Sequence, residues 1–251
     1  FRIRGTDMTR INVTVNGIPL NDPESQGVWW VNMPDFANSV DNVQVQRGVG
    51  TSTHGAGAFG ATVNFQTKTL NPEPFASGEA MAGSFNTFRT SVRAGTGLIN
   101  ERFSFETRYS TVKSDGYIDR GWSDHRSLFL TGAWHSANSI LRFNLIHGEQ
   151  HTGITWEGTP SYMVDSVRTY NPAGFMGIDE EGRDVFYPNE SDNYNQTHYQ
   201  LLFSHQLSEN LSLNLAGFWV RGLGYYEQFK GNQRLSRYGI ATIIIGEETF
   251  T

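Results

Sequence analysis

From residue 75 onward, apolar and polar positions alternate with a period of two. Phe103, Phe105, Thr107 and Tyr109 fall on one face of a strand, and Ser104, Glu106, Arg108 and Ser110 on the other. Leu141, Phe143 and Leu145 oppose Arg142 and Asn144 in the same way. Tyr199, Leu201 and Phe203 oppose Gln200 and Ser204, and Leu211, Leu213 and Leu215 oppose Ser212 and Asn214. This is the pattern of strands with one apolar and one polar face. Seven segments carry it, near residues 75–84, 88–97, 102–112, 125–136, 140–151, 193–207 and 211–229. They match the length of about 10 residues that a strand needs to cross a bilayer. Soluble sandwiches also alternate, but their strands usually run to about five or six residues. Length therefore predicts an antiparallel transmembrane wall, with lipid against the Phe103, Phe105 and Tyr109 face and water or protein against Glu106 and Arg108.

The first 69 residues read differently. Residues 11–15 alternate and stop at Asn16-Gly17, a strong hairpin-turn signal. Pro19 and Pro23 hold the next segment in an irregular, extended path. Residues 39–46 alternate through Val40, Val43 and Val45, and residues 61–67 place Val63 and Phe65 on one face. A small mixed sheet is expected over residues 1–69, a linker over 70–74 around Asn71-Pro72-Glu73-Pro74, and the wall over 75–251.

The connections predict the wall's orientation. Residues 98–101, 137–139 and 208–210 are short, whereas 113–124, 151–192 and the chain from 230 are long. Tight turns on one side and long loops on the other are typical of outer-membrane barrels. Residues 85–87 are the exception, short where a long loop is due. Seven strands would leave two open edges in lipid. The chain is therefore expected to be a piece of a larger barrel.

Composition narrows the classes. The chain has 251 residues, no cysteine, a formal charge of −6 and a mean hydropathy of −0.44. No run approaches the roughly 18 apolar residues of a spanning helix, which leaves spanning strands open. Aromatics at 13% and 27 glycines suit a β-rich chain. Without cysteine there is no disulfide framework and no thiolate metal site. The mild acidity argues against a nucleic-acid partner. The first residues do not read as a signal peptide, so a mature form or a piece is expected.

The candidate chemistry is sparse. Gly55-Ala56-Gly57-Ala58-Phe59-Gly60 matches the dinucleotide pattern G-x-G-x-x-G but precedes a strand-like run, whereas the fingerprint needs a following helix. His147-Gly148-Glu149-Gln150-His151 is not H-E-x-x-H, and zinc would need a third ligand. Asp179-Glu180-Glu181 reads as a solvated turn. Ser104, Ser110 and His135 show no nucleophile context, and no enzyme, catalytic residue, cofactor or metal site is expected. The most suggestive surfaces are aromatic. Trp29 and Trp30 sit in a segment that no strand pattern claims, and residues 152–192 carry Trp156, Tyr162, Tyr170, Phe175 and Tyr187. Trp29, Trp30, Trp156, Tyr162 and Tyr170 are the candidate ligand-binding residues; the competing reading is that they pack the small domain and the loop.

Four motifs then carry a resemblance. Ile3-Arg4-Gly5, Val15-Asn16-Gly17-Ile18-Pro19-Leu20-Asn21-Asp22, Val43-Gln44-Val45-Gln46-Arg47-Gly48 and Gly60-Ala61-Thr62-Val63-Asn64-Phe65-Gln66-Thr67 resemble the plug domain of TonB-dependent outer-membrane transporters. They occur in that family's order and spacing over about the first 68 residues. Asn16 replaces the family's usual Asp, and His54 stands where a Tyr is usual. The resemblance implies a mainly β fold, a plug followed by part of an antiparallel barrel whose parent has about 22 strands. It implies a Gram-negative outer membrane, a TonB-complex partner reached through a segment absent here, and a scarce large ligand of the ferric siderophore, haem or cobalamin class. It also implies that Arg4 and Arg47 face barrel-wall carboxylates. Alternative readings are a glycan-importing relative working with a surface lipoprotein, and a non-transporting surface binder or adhesin.

Overall fold

The computed structural model describes residues 2–3, 5–49, 59–231, 233–245 and 248–250. Arg4, and with it most of the glycine-rich segment and His54, lies outside the described residues. Strands β1 (Ile11–Val15), β2 (Ile18–Pro19), β3 (Val40–Arg47) and β4 (Ala61–Thr67) form a mixed sheet of order β2-β1-β4-β3. β1 and β4 run parallel, and the other pairs are antiparallel. Asn16 and Gly17 take positive φ values of 56° and 80°, the geometry of the tight hairpin turn that Asn-Gly favours. Ile11, Val13, Ala61 and Val63 are buried beneath Ile3, Leu20, Val28, Trp30 and Phe65. Gly60 is followed by β4 and not by a helix, so the dinucleotide context is not met.

The wall follows. Its strands are β5 (Pro74–Gly83), β6 (Thr87–Thr96), β7 (Phe103–Ser114), β8 (Ser123–His135) and β9 (Ser139–Gly153). A loop hairpin of β10 (Phe175–Ile178) and β11 (Asp184–Phe186) intervenes before β12 (Ser191–Ser208) and β13 (Leu211–Glu227). The seven wall strands form one antiparallel sheet in chain order, with β5 and β13 as its edges. The outer turn between β5 and β6 is as short as the sequence indicated. Phe85 and Asn86 both take positive φ there, and Phe85 packs edge-on against Tyr117 of the next outer loop at 5.6 Å.

The alternation reads directly onto the two faces. Ser104, Glu106, Arg108 and Ser110 of β7 are buried, while Phe103, Phe105 and Tyr109 are exposed. Register places Phe105, Gly132, Phe143, Leu201 and Gly217 in one row across β7, β8, β9, β12 and β13. Nearer the long loops the outward face turns polar, with Arg126, Glu149 and Asn195 aligned in one row. An apolar band ending in polar groups is what a bilayer and its headgroups select.

The plug packs against the polar face of the wall. One small apolar contact joins them, where Val15, Met33 and Phe36 of the plug meet Phe129 of β8 and Ile146 of β9. Beside it the described seam carries polar contacts. Asp35 accepts from Arg89 Nε at 3.0 Å and from Arg108 Nη1 at 2.6 Å. Arg108 also donates to Ser39 Oγ, Ser110 Oγ and Ser127 Oγ, at 2.9, 2.7 and 2.9 Å. Gln200 of β12 accepts from Asn16 Nδ2 at 2.9 Å and donates to the Val15 carbonyl at 3.3 Å. An Asp at position 16 has no such proton to give. Arg142 donates to the Lys68 carbonyl at 2.6 Å, and Glu106 accepts from the Asn71 N–H, so the linker is tied to the wall as well.

In the described seam, wall arginines meet a plug carboxylate; the expected Arg4 contact lies outside the described residues. Arg47 is exposed at the end of β3, and its side chain makes no hydrogen bond or ion pair to another described residue.

Two outcomes follow from these faces. Phe105→Arg is expected to weaken insertion by about 2–4 kcal/mol, the cost of a cation near the bilayer midplane. Refolding of the full-length protein into lipid vesicles across a denaturant series checks it; an unchanged midpoint would place Phe105 off the lipid face. The second concerns Asp35. Burial works against its ionisation, but the hydrogen bond from Arg89 and the charge of Arg108 outweigh it and hold the carboxyl below its ordinary value of 3.8. A lowered folded value gives stability that is present above the ordinary value and lost as pH falls through the folded one. The seam should therefore be unaffected between pH 5 and 8, to give a rough window, and loosen only in stronger acid. Asp35→Asn keeps the shape and tolerates the local φ of 54°, yet leaves Arg108 without a counter-charge. It should cost the seating of the plug about 3–5 kcal/mol, read as faster amide exchange of residues 30–40 at neutral pH.

Candidate functional site: a cleft between plug and wall

The plug segment after β2 is a knuckle built on its own side chains. Asn21 Oδ1 accepts from the Val13 N–H at 2.7 Å, and its Nδ2 donates to the carbonyls of Ile11 and Gln26, both at 2.9 Å. Asp22 Oδ1 accepts from the N–H groups of Glu24 and Ser25 at 3.0 and 2.7 Å, a local turn that this residue type favours. Trp29 Nε1 donates to Ser25 Oγ at 3.2 Å. The knuckle is therefore shaped before any ligand arrives. It displays Trp29, which is 52% exposed, beside the carboxylates of Asp22 and Glu24.

The wall side comes from the polar face of β12. Tyr194, Gln196 and His198 recur at every second residue and point to the plug side. Tyr194 lies over Gly222 and Gly224 of β13; a Cβ on Gly224 would collide with the Asn193 carbonyl at 2.6 Å and with the Tyr194 ring. Two glycines thus make room for one aromatic ring. His198 is only 6% exposed, and its Nε2 has no partner among the described residues.

Between knuckle and wall lies a cleft of about 730 Å³, lined by Asp22, Glu24, Trp29, Tyr194, His198 and Phe218 among others. The volume is within the range of small-molecule sites. It lies in the half of β12 nearer the long loops, because Ser191 begins that strand directly after residues 154–190. Asp22 and Glu24 are the only charged residues in its lining among the described residues. The backbone N–H of Ser25 is the strongest of the bonds that hold the Asp22 carboxyl below its ordinary value, so it stays ionised at neutral pH.

The expected aromatic residues divide. Trp29 lines the cleft. Trp30 is half-buried and packs edge-on against Phe65 at 5.4 Å, inside the plug core. Tyr170 joins a cluster within the long loop, where it meets Phe186 at 6.3 Å and Phe186 meets Phe175 at 5.8 Å. That loop is better ordered than its sequence implied. Arg120 stacks over Phe186 at 3.5 Å, and buried Asn171 donates to the carbonyls of Asp119 and Ile154. Trp156 packs on Tyr226 at 5.5 Å, and Tyr162 is 82% exposed. The acidic run is a turn, with Asp179 Oδ1 accepting from the N–H groups of Glu181 and Arg183.

His147 and His151 face outward and are spent on local contacts. His147 meets Thr197 Oγ1 at 2.7 Å, and His151 packs edge-on against Trp122 at 4.5 Å. Between them Gly148 faces the plug, where a Cβ would fall 2.6 Å from Pro34 Cδ. Its glycine is a docking position and not part of a metal motif. No cluster of three or more His, Cys, Asp or Glu suited to a metal occurs among the described residues. Tyr194, Gln196 and His198 were not singled out from sequence. Extending the alternation of β12 towards its start would have put all three on the plug-facing side.

Comparison with known proteins agrees with this architecture. Residues 1–62 match the TonB-dependent Receptor Plug Domain family. The metal-pseudopaline receptor CntO of Pseudomonas aeruginosa strain UCBPP-PA14 is 26% identical over 204 residues, covering 77% of this chain and 26% of that protein. The chain thus spans about a quarter of the length of the curated relatives it matches. The ferric citrate transporter FecA, unliganded, superposes with a TM-score of 0.69 at 18% identity, over 91% of this chain and 34% of that one. The open form of the ferric-catecholate import receptor Fiu from E. coli K12 gives a TM-score of 0.65 at 19% identity, over 89% and 33%. A plug-family match over residues 1–62, an aligned receptor and a shared plug-and-wall fold together support a TonB-dependent receptor, to part of which the chain is similar.

Proposed function

We propose that the chain is the later part of the plug, residues 1–69, a linker, 70–74, and the first strands of the barrel, 75–251, of a receptor for active ligand uptake across the outer membrane of a Gram-negative bacterium. The remaining barrel strands and the TonB-contacting segment belong to the rest of that receptor. The ligand is scarce and large, of the ferric siderophore, haem or cobalamin class, and a metal chelate is favoured because the aligned relative is a metal-pseudopaline receptor. The observation that carries the reading is the seam. A plug seated by Asp35, Arg89, Arg108 and Gln200 is held by polar contacts that water can replace, so it can be moved without unfolding the wall. The outer membrane holds no ATP, and coupling to the TonB complex would supply the work of that movement. Trp29 would meet the ligand on the plug side, and Trp156 and Tyr162 on the loop side.

Uptake of a radiolabelled chelate by cells carrying the full-length receptor tests this. Uptake should stop when TonB is deleted, while surface binding persists; uptake that continues without TonB would refute it. Trp29→Ala should weaken binding with the receptor still folded. Trp30→Ala should instead lower plug stability, by up to about 3 kcal/mol for a half-buried ring. Trp156→Ala with Tyr162→Ala should weaken binding too; unchanged affinity would make that loop a packing element only.

A further inference from the structure

The cleft described above has a chemistry of its own, and naming it deepens the uptake reading on which it rests. We propose that the cleft is a subsite for a cationic group of the ligand, an ammonium or guanidinium carried on an otherwise apolar or hydroxyl-bearing body. Three observations converge. Among the described residues, the lining holds two carboxylates, Asp22 and Glu24, and neither an arginine nor a lysine. An anionic group entering here would meet like charge with no compensation, whereas a cation is attracted. Trp29 stands exposed beside those carboxylates, held by Ser25, and an indole face is the preferred aromatic partner of a cation. His198 lines the same cleft with its Nε2 buried and unpartnered among the described residues. Buried polar atoms are normally satisfied, and an orphan in a cleft wall marks a place where a ligand hydroxyl or carbonyl completes the bond.

The arrangement is preorganised. Asp22 is fixed by two backbone N–H groups and Trp29 by a side-chain bond, so little ordering is left for binding to do. The wall arginines that would favour an anion lie elsewhere. Arg108 is taken up by Asp35 and three serine hydroxyls, Arg89 by Asp35 and Glu79, and Arg142 by Thr131 and Lys68. The charge of the seam and the charge of the cleft are thus separate.

The test uses full-length receptor in detergent and two fluorinated probes of matched shape, 4-fluorobenzylammonium and 4-fluorobenzyl alcohol, titrated by fluorine NMR. The ammonium should bind about tenfold tighter than the alcohol. Asp22→Asn with Glu24→Gln, which preserves the turn and the side-chain shapes, should bring the ratio close to one. Equal binding of the two probes to the unaltered receptor, or a ratio that survives the double substitution, would overturn the subsite. The readout is independent of transport. A charge-dependent ratio without TonB-dependent uptake would leave the subsite standing and remove the uptake reading; uptake without the ratio would do the reverse.

Discussion

The Asp35 carboxylate, held between Arg89 and Arg108, is the contact on which the arrangement depends. A strand wall with lipid on one side puts every second residue inside, and here those residues are arginine, glutamate, serine and asparagine. A guanidinium as buried as that of Arg108, 4% exposed at its side chain, is tolerable only with a counter-charge and filled hydrogen bonds. The wall supplies hydroxyls from Ser110 and Ser127, and the plug supplies the charge and Ser39. Wall and plug are therefore incomplete separately, and the seam is specified by chemistry more than by apolar area. The left-handed backbone at Asp35 suits this role, because Asp is among the few residues that adopt it readily.

The division between apolar and polar contact has a functional sense. A plug glued by a large apolar interface would be costly to move, since exposing that area to water is unfavourable. Among the described residues, the buried apolar contact centres on Val15, Met33 and Phe36 against Phe129 and Ile146, with Leu20, Val40 and Phe65 packed on it. Elsewhere plug and wall exchange hydrogen bonds that water can take over. The cleft at the knuckle lies beside this seam, in the half of β12 nearer the long loops, and is formed by the same plug segment that carries Asp35 further along.

Much of the fold could be read from the chain because a period of two is hard to mistake over 10 or more residues. The wall strands lie within a few residues of their expected limits, and Ser104 to Ser110 alternate as read. The polarity of the seam was not legible. Asp35 sits in a segment without periodicity, between short 3-10 turns, and pairs with residues 54 and 73 positions away. Trp29 and Trp30 are indistinguishable by type and neighbourhood, yet one faces the cleft and the other Phe65. That difference arises from a turn of backbone, which composition does not encode. Tyr194 and His198 were hidden for another reason: a polar residue on an inward face looks the same whether it meets water, plug or ligand.

The central claim is that plug and wall are two bodies joined by a polar seam that yields before either unfolds. The most direct measurement is force spectroscopy on the full-length receptor in a lipid bilayer, pulling on the plug from its N-terminal side. The account predicts that the plug leaves or unravels at low force while the wall strands stay inserted, and that Asp35→Asn lowers that force further. A single cooperative rupture that extracts wall strands together with the plug, at a force indifferent to Asp35, would contradict it.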